Sequence, residues 1–365
     1  METTLDQQTR HLEAAHFADL GGWHQDDHDA ALLSFQLSAA HHLQTPYKQR
    51  QIVFDADAFN DACHASLEPN IDAKAFFEYW FEPFLIVGDN NSGKITGYYE
   101  PVIKARQIKG YGFETSFLRR PDDLAELSEE EAAAHGGMRF GRKVDGNITP
   151  YFDRSAIDGG ALNNRNLEIA FVRDPVDAFF GHVQGCARLQ LPDREMRITY
   201  DSKSGHEFTG IGRVLIDQGE ISAATISMQS IRDWLSANPK RVPEILHHNK
   251  SYIFFREEPV AGFGLGPIAA AKVPLTAGRS IAVDRTIHAF GLPFFINAPD
   301  LKTLEPQGFR RLMIAQDTGS AILGTVRADL FIGSGDAAGA IAGSINYPAQ
   351  FHILLPRKGK KTGLV

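Results

Sequence analysis

Three aspartates hold most of the chemical potential of this chain, and they crowd its C-terminal part. Asp284 ends Ser280-Ile281-Ala282-Val283-Asp284-Arg285, Asp317 sits in Ala315-Gln316-Asp317-Thr318-Gly319, and Asp329 sits in Val326-Arg327-Ala328-Asp329-Leu330-Phe331. Each follows small or apolar residues of a short candidate strand. A carboxylate in such a place costs free energy unless it is hydrogen-bonded or functional. Any one of them alone reads as a turn cap. Three between residues 284 and 329 point to a shared site whose currency is the proton.

Other motifs carry less. Asp317-Thr318-Gly319-Ser320 after an apolar strand is the run found in aspartic peptidases. That chemistry needs two such aspartates sharing one proton, and this chain has one copy. His24, His28 and the acids Asp26, Asp27 and Asp29 could be imagined around a metal, but no third or fourth ligand is placed, so the stretch reads as a solvated turn and helix start. Gly333-Ser334-Gly335-Asp336-Ala337-Ala338-Gly339 follows a strand, yet too little chain remains after it for a dinucleotide-binding half; Gly262-Phe263-Gly264-Leu265-Gly266 has no strand before it. Both read as tight turns. Cys63 and Cys186 have no metal-type spacing and read as two free, partly buried thiols.

The elements that must position the acids follow from pattern. The chain has 365 residues, 43% hydrophobic and 22% charged, enough for two ordinary domains or one large one, with a substantial core. The net charge of -8 argues against a phosphate-tracking nucleic-acid binder. No apolar run is long enough to span a membrane. The first residues, Met1 to Asp6, lack the basic start and apolar middle of a secretory signal. Leu5–Leu20, His28–Leu43, Asp55–Leu67 and Ala73–Phe84 read as helices, with Asp55 as a cap. In the last of these Phe76, Tyr79, Trp80 and Phe84 read as core. Short strands follow at Glu168–Phe171, Ala187–Leu191, Arg197–Tyr200 and Tyr252–Phe255, interrupted by helices over Ser227–Ser236 and Val242–His248. The Glu129-Glu130-Glu131 run reads as a solvated helix start or loop. From Pro259 onward strands at Ser280–Val283, Phe294–Ile296, Leu312–Gln316, Ala328–Ile332 and Phe351–Leu355, with dense glycines between them, predict a small closed barrel. Composition marks no domain boundary.

At these residues the chain resembles the membrane-bound lytic murein transglycosylase A family, with a C-terminal three-aspartate (3D) domain. The matching segments include Thr96-Gly97-Tyr98-Tyr99-Glu100-Pro101, Gly181-His182-Val183-Gln184-Gly185-Cys186-Ala187-Arg188, Ile211-Gly212-Arg213, Ser227-Met228-Gln229, Asn249-Lys250-Ser251-Tyr252, Asp284-Arg285-Thr286 and the two acid segments above. They run in order from about residue 80 to 356. Cys186 stands where Ser is frequent, and Glu100 where Thr occurs.

The resemblance implies a mainly β protein with N-terminal helices. A double-psi β-barrel catalytic domain would be built from residues 1–101 and 259–365. A smaller β-rich substrate-binding domain, residues 102–258, would be inserted, with a groove between the two. It implies cleavage of the β-1,4 bond between N-acetylmuramic acid and N-acetylglucosamine in peptidoglycan, leaving 1,6-anhydromuramic ends. Asp329 would be the single catalytic acid and base, Asp317 a supporting acid and Asp284 structural. Thr96, Gly97, Tyr98, Tyr99, Glu100, Gln184 and Gly185 would bind substrate. No cofactor or metal is implied. The partners would be peptidoglycan glycan strands and complexes of cell-wall synthesis or division, and the protein itself would be a monomer in the periplasm or cell envelope. This N-terminus supports no outer-membrane lipid anchor, having no lipobox cysteine. The alternatives are an aspartic-type peptidase built on Asp317-Thr318-Gly319 and a peptidoglycan-binding protein without turnover.

Overall fold

The computed structural model describes residues 12–88, 93–259 and 264–360. The chain divides into two compact units. The first comprises residues 1–99, 261–333 and 344–365, the second residues 100–260 and 334–343.

In the first unit three helices, α1 (His28–Gln44), α2 (Ala56–Ser66) and α3 (Ala73–Trp80), each begin at an aspartate. Asp27, Asp55 and Asp72 accept from the backbone N–H of Ala30, Ala58 and Ala75, the N-cap bond that satisfies an otherwise orphaned donor. Their inner faces meet in an aromatic cluster where Phe35 packs against Phe59, Phe76, Phe77 and Phe81. Two expectations need correction. Residues 12–20 of the expected first helix hold a strand, β1 (Leu12–Ala14), and a 3-10 turn, Phe17–Asp19, because β1 is captured as an antiparallel edge by β2 (Phe81–Ile86). Residues 1–11, including the polar start and the beginning of that expected helix, lie outside the described residues, as does Gly262 of the second glycine run. The helix expected to reach Phe84 stops at Trp80. Pro83 cannot donate to a helical ladder, and the chain from Phe81 pairs as a strand instead. Phe76 and Trp80 are core, whereas Tyr79 and Phe84 are only half-buried.

The remaining strands of this sheet are β3 (Gly93–Glu100), β4 (Ser280–Val283), β5 (Pro293–Ala298), β6 (Phe309–Asp317), β7 (Arg327–Ser334) and β8 (Asn346–Pro356). Their order is β1-β2-β8-β5-β6-β4-β7-β3, and β8 also pairs with β3. Strand β8 does this by splitting its length: Asn346–Ala349 face β3, and Gln350–Ile353 face β5. The five strands expected from the C-terminal part all occur, each at or within a few residues of its expected limits.

The second unit is built on a six-stranded sheet in the order Ile253–Glu258, Glu195–Lys203, Cys186–Gln190, Val102–Arg106, Glu168–Val172 and Thr115–Leu118. A helical cluster, including Pro175–Gln184, Ile211–Asp217, Met228–Ala237 and Val242–His247, packs Phe179, Phe180, Leu215, Leu235 and Ile245 together. The glutamate run forms the short helix Glu129–Ala134, capped by Ser128 and with no buried residue. Cys63 in the first unit is a buried thiol, and Cys186 in the second is buried as well.

Candidate functional site

Strand β4 is the centre of the site. It pairs in parallel with β6 and antiparallel with β7, and one small residue, Ala282, is the register partner of both Asp317 and Asp329. Directly paired residues project to the same face of a sheet. Two acids that are distant in any local sense are therefore delivered to one face, flanking a methyl group, with their Cα atoms roughly 10 Å apart at two strand spacings. A register shift between β4 and β6 at Ile281/Ala282 makes this possible. It lets Gln316 turn the other way, where its side chain meets Ser34, Ser38 and Ser280, while Asp317 faces the site.

That face is largely apolar. Tyr98, Leu275, Ala282, Ile322 and Phe331 form one buried cluster. Phe331, two residues after Asp329, shares its face, while Leu330 and Ile332 alternate away. Of the three apolar residues that follow Asp329, Phe331 is thus the one that helps dry the acid.

Asp329 is held by one oxygen. The Thr96 hydroxyl donates to Oδ1 at 2.6 Å, and Arg327 Nη2 donates to the same Thr96 oxygen at 2.7 Å. Burial pushes the Asp329 carboxyl up to about 6. Thr96 and the Arg327 charge pull it back, and Asp317 pushes the same way as burial. Asp317 is also raised by burial, against hydrogen bonds that favour its anion. Its Oδ2 accepts from the Tyr98 hydroxyl at 2.9 Å, and its Oδ1 from Ala270 N at 3.2 Å. No hydrogen bond joins Asp317 to Asp329 among the described residues. A peptidase dyad needs that shared proton.

Asp284 does different work. Its Oδ1 accepts from Thr286 N and Oγ1, at 3.0 and 2.6 Å, and its Oδ2 from Gly324 N at 2.8 Å. Burial pushes this carboxyl up, but those donors outweigh it and hold it below the usual range. The bond to Gly324 ties the end of β4 to the loop that leads into β7. Gly324 takes a φ of 107°, a backbone shape that a side chain would strain.

The other expected site residues fall in two places. Thr96 and Tyr98 are the residues of β3 that reach Asp329 and Asp317. Gly97 beside them is partly exposed and Tyr99 buried. Glu100 offers no free carboxylate. Its side chain is fully buried, with Arg197 donating Nε to Oε1 at 2.5 Å and Nη2 to Oε2 at 3.1 Å, joined by Arg188 and Ser334. Gln184 ends the helix Pro175–Gln184 in the second unit, and Gly185 caps it at a φ of 72°; both are partly exposed.

The His24–Asp29 stretch is less solvated than expected. Asp27 caps α1, but Asp26 forms a buried ion pair with Arg279 at 2.8 Å, and His28 packs edge-on against Trp23. Among the described residues no group of His, Cys, Asp and Glu is arranged to hold a metal. A cavity of about 900 Å³ lined by Ile52, Phe54, Glu82, Leu355 and Arg357 contains none of the site residues, and borders Leu12 and Lys360 at the edges of the described chain. Sequence reasoning missed Ala282, the Ala270 backbone and Arg327. Arg327 had a usable signal, since in a strand it shares a face with the residue two places on.

Residues 94–256 match the family described as the MltA specific insert domain, and residues 279–355 match the 3D domain. Membrane-bound lytic murein transglycosylase A of Escherichia coli (strain K12) is 30% identical over 299 residues, covering 79% of this chain and 73% of that protein. The crystal structure of a membrane-bound lytic murein transglycosylase from Agrobacterium tumefaciens superposes with a TM-score of 0.87 at 42% identity, over 95% of this chain and 98% of that one. The structure of E. coli MltA with bound chitohexaose matches with a TM-score of 0.67 at 25% identity, over 95% and 93% of the two chains.

Proposed function

The chain belongs to the membrane-bound lytic murein transglycosylase A family, and we propose that it cuts peptidoglycan glycan strands with Asp329 as its single acid and base. It is a lytic transglycosylase, a non-hydrolytic lyase of peptidoglycan. The observation that carries the assignment of Asp329 is its carboxyl: dried by an apolar cluster, anchored through one oxygen only, and raised to about 6.

A glycosidic bond breaks when its leaving oxygen takes a proton. Hydrolases pair that acid with a second carboxylate that attacks or activates water. Here the nucleophile is tethered: the muramic C6 hydroxyl attacks its own C1. Effective molarity replaces much of what a second carboxylate would supply. Asp329 gives its proton to the glycosidic oxygen as the C1–O bond breaks. The C6 oxygen bonds to C1, and the carboxylate takes the C6 hydroxyl proton. The ring closes as 1,6-anhydromuramic acid, and Asp329 ends protonated and ready. An ordinary aspartate is about 0.1% protonated at pH 7, whereas one at about 6 is roughly a tenth protonated, about a hundredfold more starting acid. Asp317, held by Tyr98 and Ala270, acts from the side by disfavouring the Asp329 anion. Asp284 is structural, setting the loop before β7. In the same reading β3 through β8 form a six-stranded double-psi barrel, residues 102–258 are the substrate-binding insert, and Gln184 and Gly185 contact glycan. Chitohexaose bound to the E. coli relative supports a glycan ligand. Among the described residues no helix is long and apolar enough to cross a membrane. The substrate places the site of action in the cell envelope.

The test is product analysis. Wild-type protein digesting purified peptidoglycan should release muropeptides with anhydro ends by mass spectrometry, and folded Asp329→Asn should release none. Reducing muramic ends would mean hydrolysis, and full turnover by the variant would remove Asp329 from the mechanism.

A further inference from the structure

Resting on the reading of Asp329 as acid and base, we propose that Arg327 is a positioning residue for the reaction: acting through the Thr96 hydroxyl, it fixes Oδ1 as the anchored oxygen of Asp329 and leaves Oδ2 to exchange the proton with substrate. The argument is one of hydrogen-bond direction. A guanidinium has donors and no acceptor, and a hydroxyl has a single hydrogen. Arg327 Nη2 sits 2.7 Å from Thr96 Oγ1, so Thr96 must accept there. Its hydrogen is then committed to Asp329 Oδ1, 2.6 Å away on the other side. Oδ1 must therefore present a lone pair in both protonation states, and the acid's proton belongs on Oδ2. Among the described residues Oδ2 accepts no hydrogen bond. Arg327 is itself held, since Nη1 donates to the carbonyl of Ala328.

Without the guanidinium, the Thr96 hydroxyl is free to turn. It could accept a hydrogen bond from a protonated Oδ1 instead of donating to it, and the acid would be divided between a productive and an unproductive protonation site. The charge matters as well as the direction. The charged or titratable groups facing Asp329 are Arg327 from its own strand and Asp317 from β6. Strand β3 contributes the Thr96 hydroxyl and the Tyr98 phenol, which is spent on Asp317, and β4 contributes only Ala282. Arg327 is the one cation in that set, so its loss leaves burial and Asp317 unopposed except by Thr96.

The experiment is the pH dependence of kcat and kcat/KM for anhydromuropeptide release by Arg327→Met, Arg327→Lys, Thr96→Val and Thr96→Ser beside wild type. Thermal melts verify that each variant is folded. Arg327→Met is expected to lower kcat by about 10–100-fold, a partial loss of the roughly 100–10,000-fold that general acid–base assistance contributes. It should also move the alkaline limb up by on the order of one pH unit. Arg327→Lys should keep the limb near its wild-type place. Thr96→Val should reproduce the Arg327→Met loss of kcat, and Thr96→Ser should restore it. If folded Arg327→Met loses rate equally at every pH with its limb unmoved, Arg327 is only structural and this proposal is overturned. A different result bears on the reading beneath it: turnover by Asp329→Asn, or a wild-type profile with no limb near pH 6, removes the acid itself.

Discussion

Replacing Asp329 by asparagine removes an ionisable group at almost constant shape, and the structure predicts that the fold gains by it. Oδ1 and its bond from Thr96 survive the change. What disappears is a carboxyl whose folded value is raised from 3.8 to about 6, mainly by burial. Because the folded value lies above the unfolded one, the folded state holds this proton more tightly. The penalty for ionising it is absent below about pH 4, grows through the window from about 4 to 6, and is complete above it. A shift of about two units corresponds to about 3 kcal/mol. Asparagine carries no such penalty, so Asp329→Asn should be the more stable protein by up to about 3 kcal/mol at pH 7.5. The two proteins should converge near pH 4. For a unit of ordinary size this is a rise of roughly 6–12 °C in Tm at neutral pH. Urea and thermal unfolding at both pH values measure it. Trp23 and Trp80, both buried in the first unit, report by fluorescence. Equal stabilities at pH 7.5, or a difference that does not shrink at pH 4, would refute the claim that Asp329 is kept neutral at a cost to the fold.

Two further predictions concern neighbours of the site. Ala282→Val adds bulk between the two acids in a packed cluster, which should cost about 1–3 kcal/mol by overpacking. It should lower kcat more than it raises KM, because it separates the carboxyls without touching an exposed surface; a change in KM alone would show that Ala282 does not space them. Glu100→Ala leaves the buried Arg197 guanidinium without its carboxylate, a loss of about 3–5 kcal/mol read by urea unfolding. Near-wild-type stability with weakened glycan binding would instead show that Glu100 contacts substrate.

Local information in the chain determined a good deal. Asp55 announced the start of α2, since an N-cap needs only a side-chain oxygen and the next turn, and the Ala- and Leu-rich run from His28 announced α1. Short runs of small and apolar residues between glycines announced the strands that carry Asp317 and Asp329. The segments around residues 96–101, 181–188 and 284–329 were enough to point to the family. What the chain could not announce was pairing. Residues 12–14 read as helical until β2 claims them, and Glu100 reads as a ligand-facing acid until Arg197 and Arg188 enclose it. The site itself is made by register: Ala282 opposite both acids, a shift that frees Gln316 from the face Asp317 uses, and Thr96 and Arg327 brought together although 231 residues separate them. Strand pairing is a long-range choice, settled by which faces bury together. Sequence spacing therefore names the acids, and only the folded sheet decides which oxygen of which acid is left to move a proton.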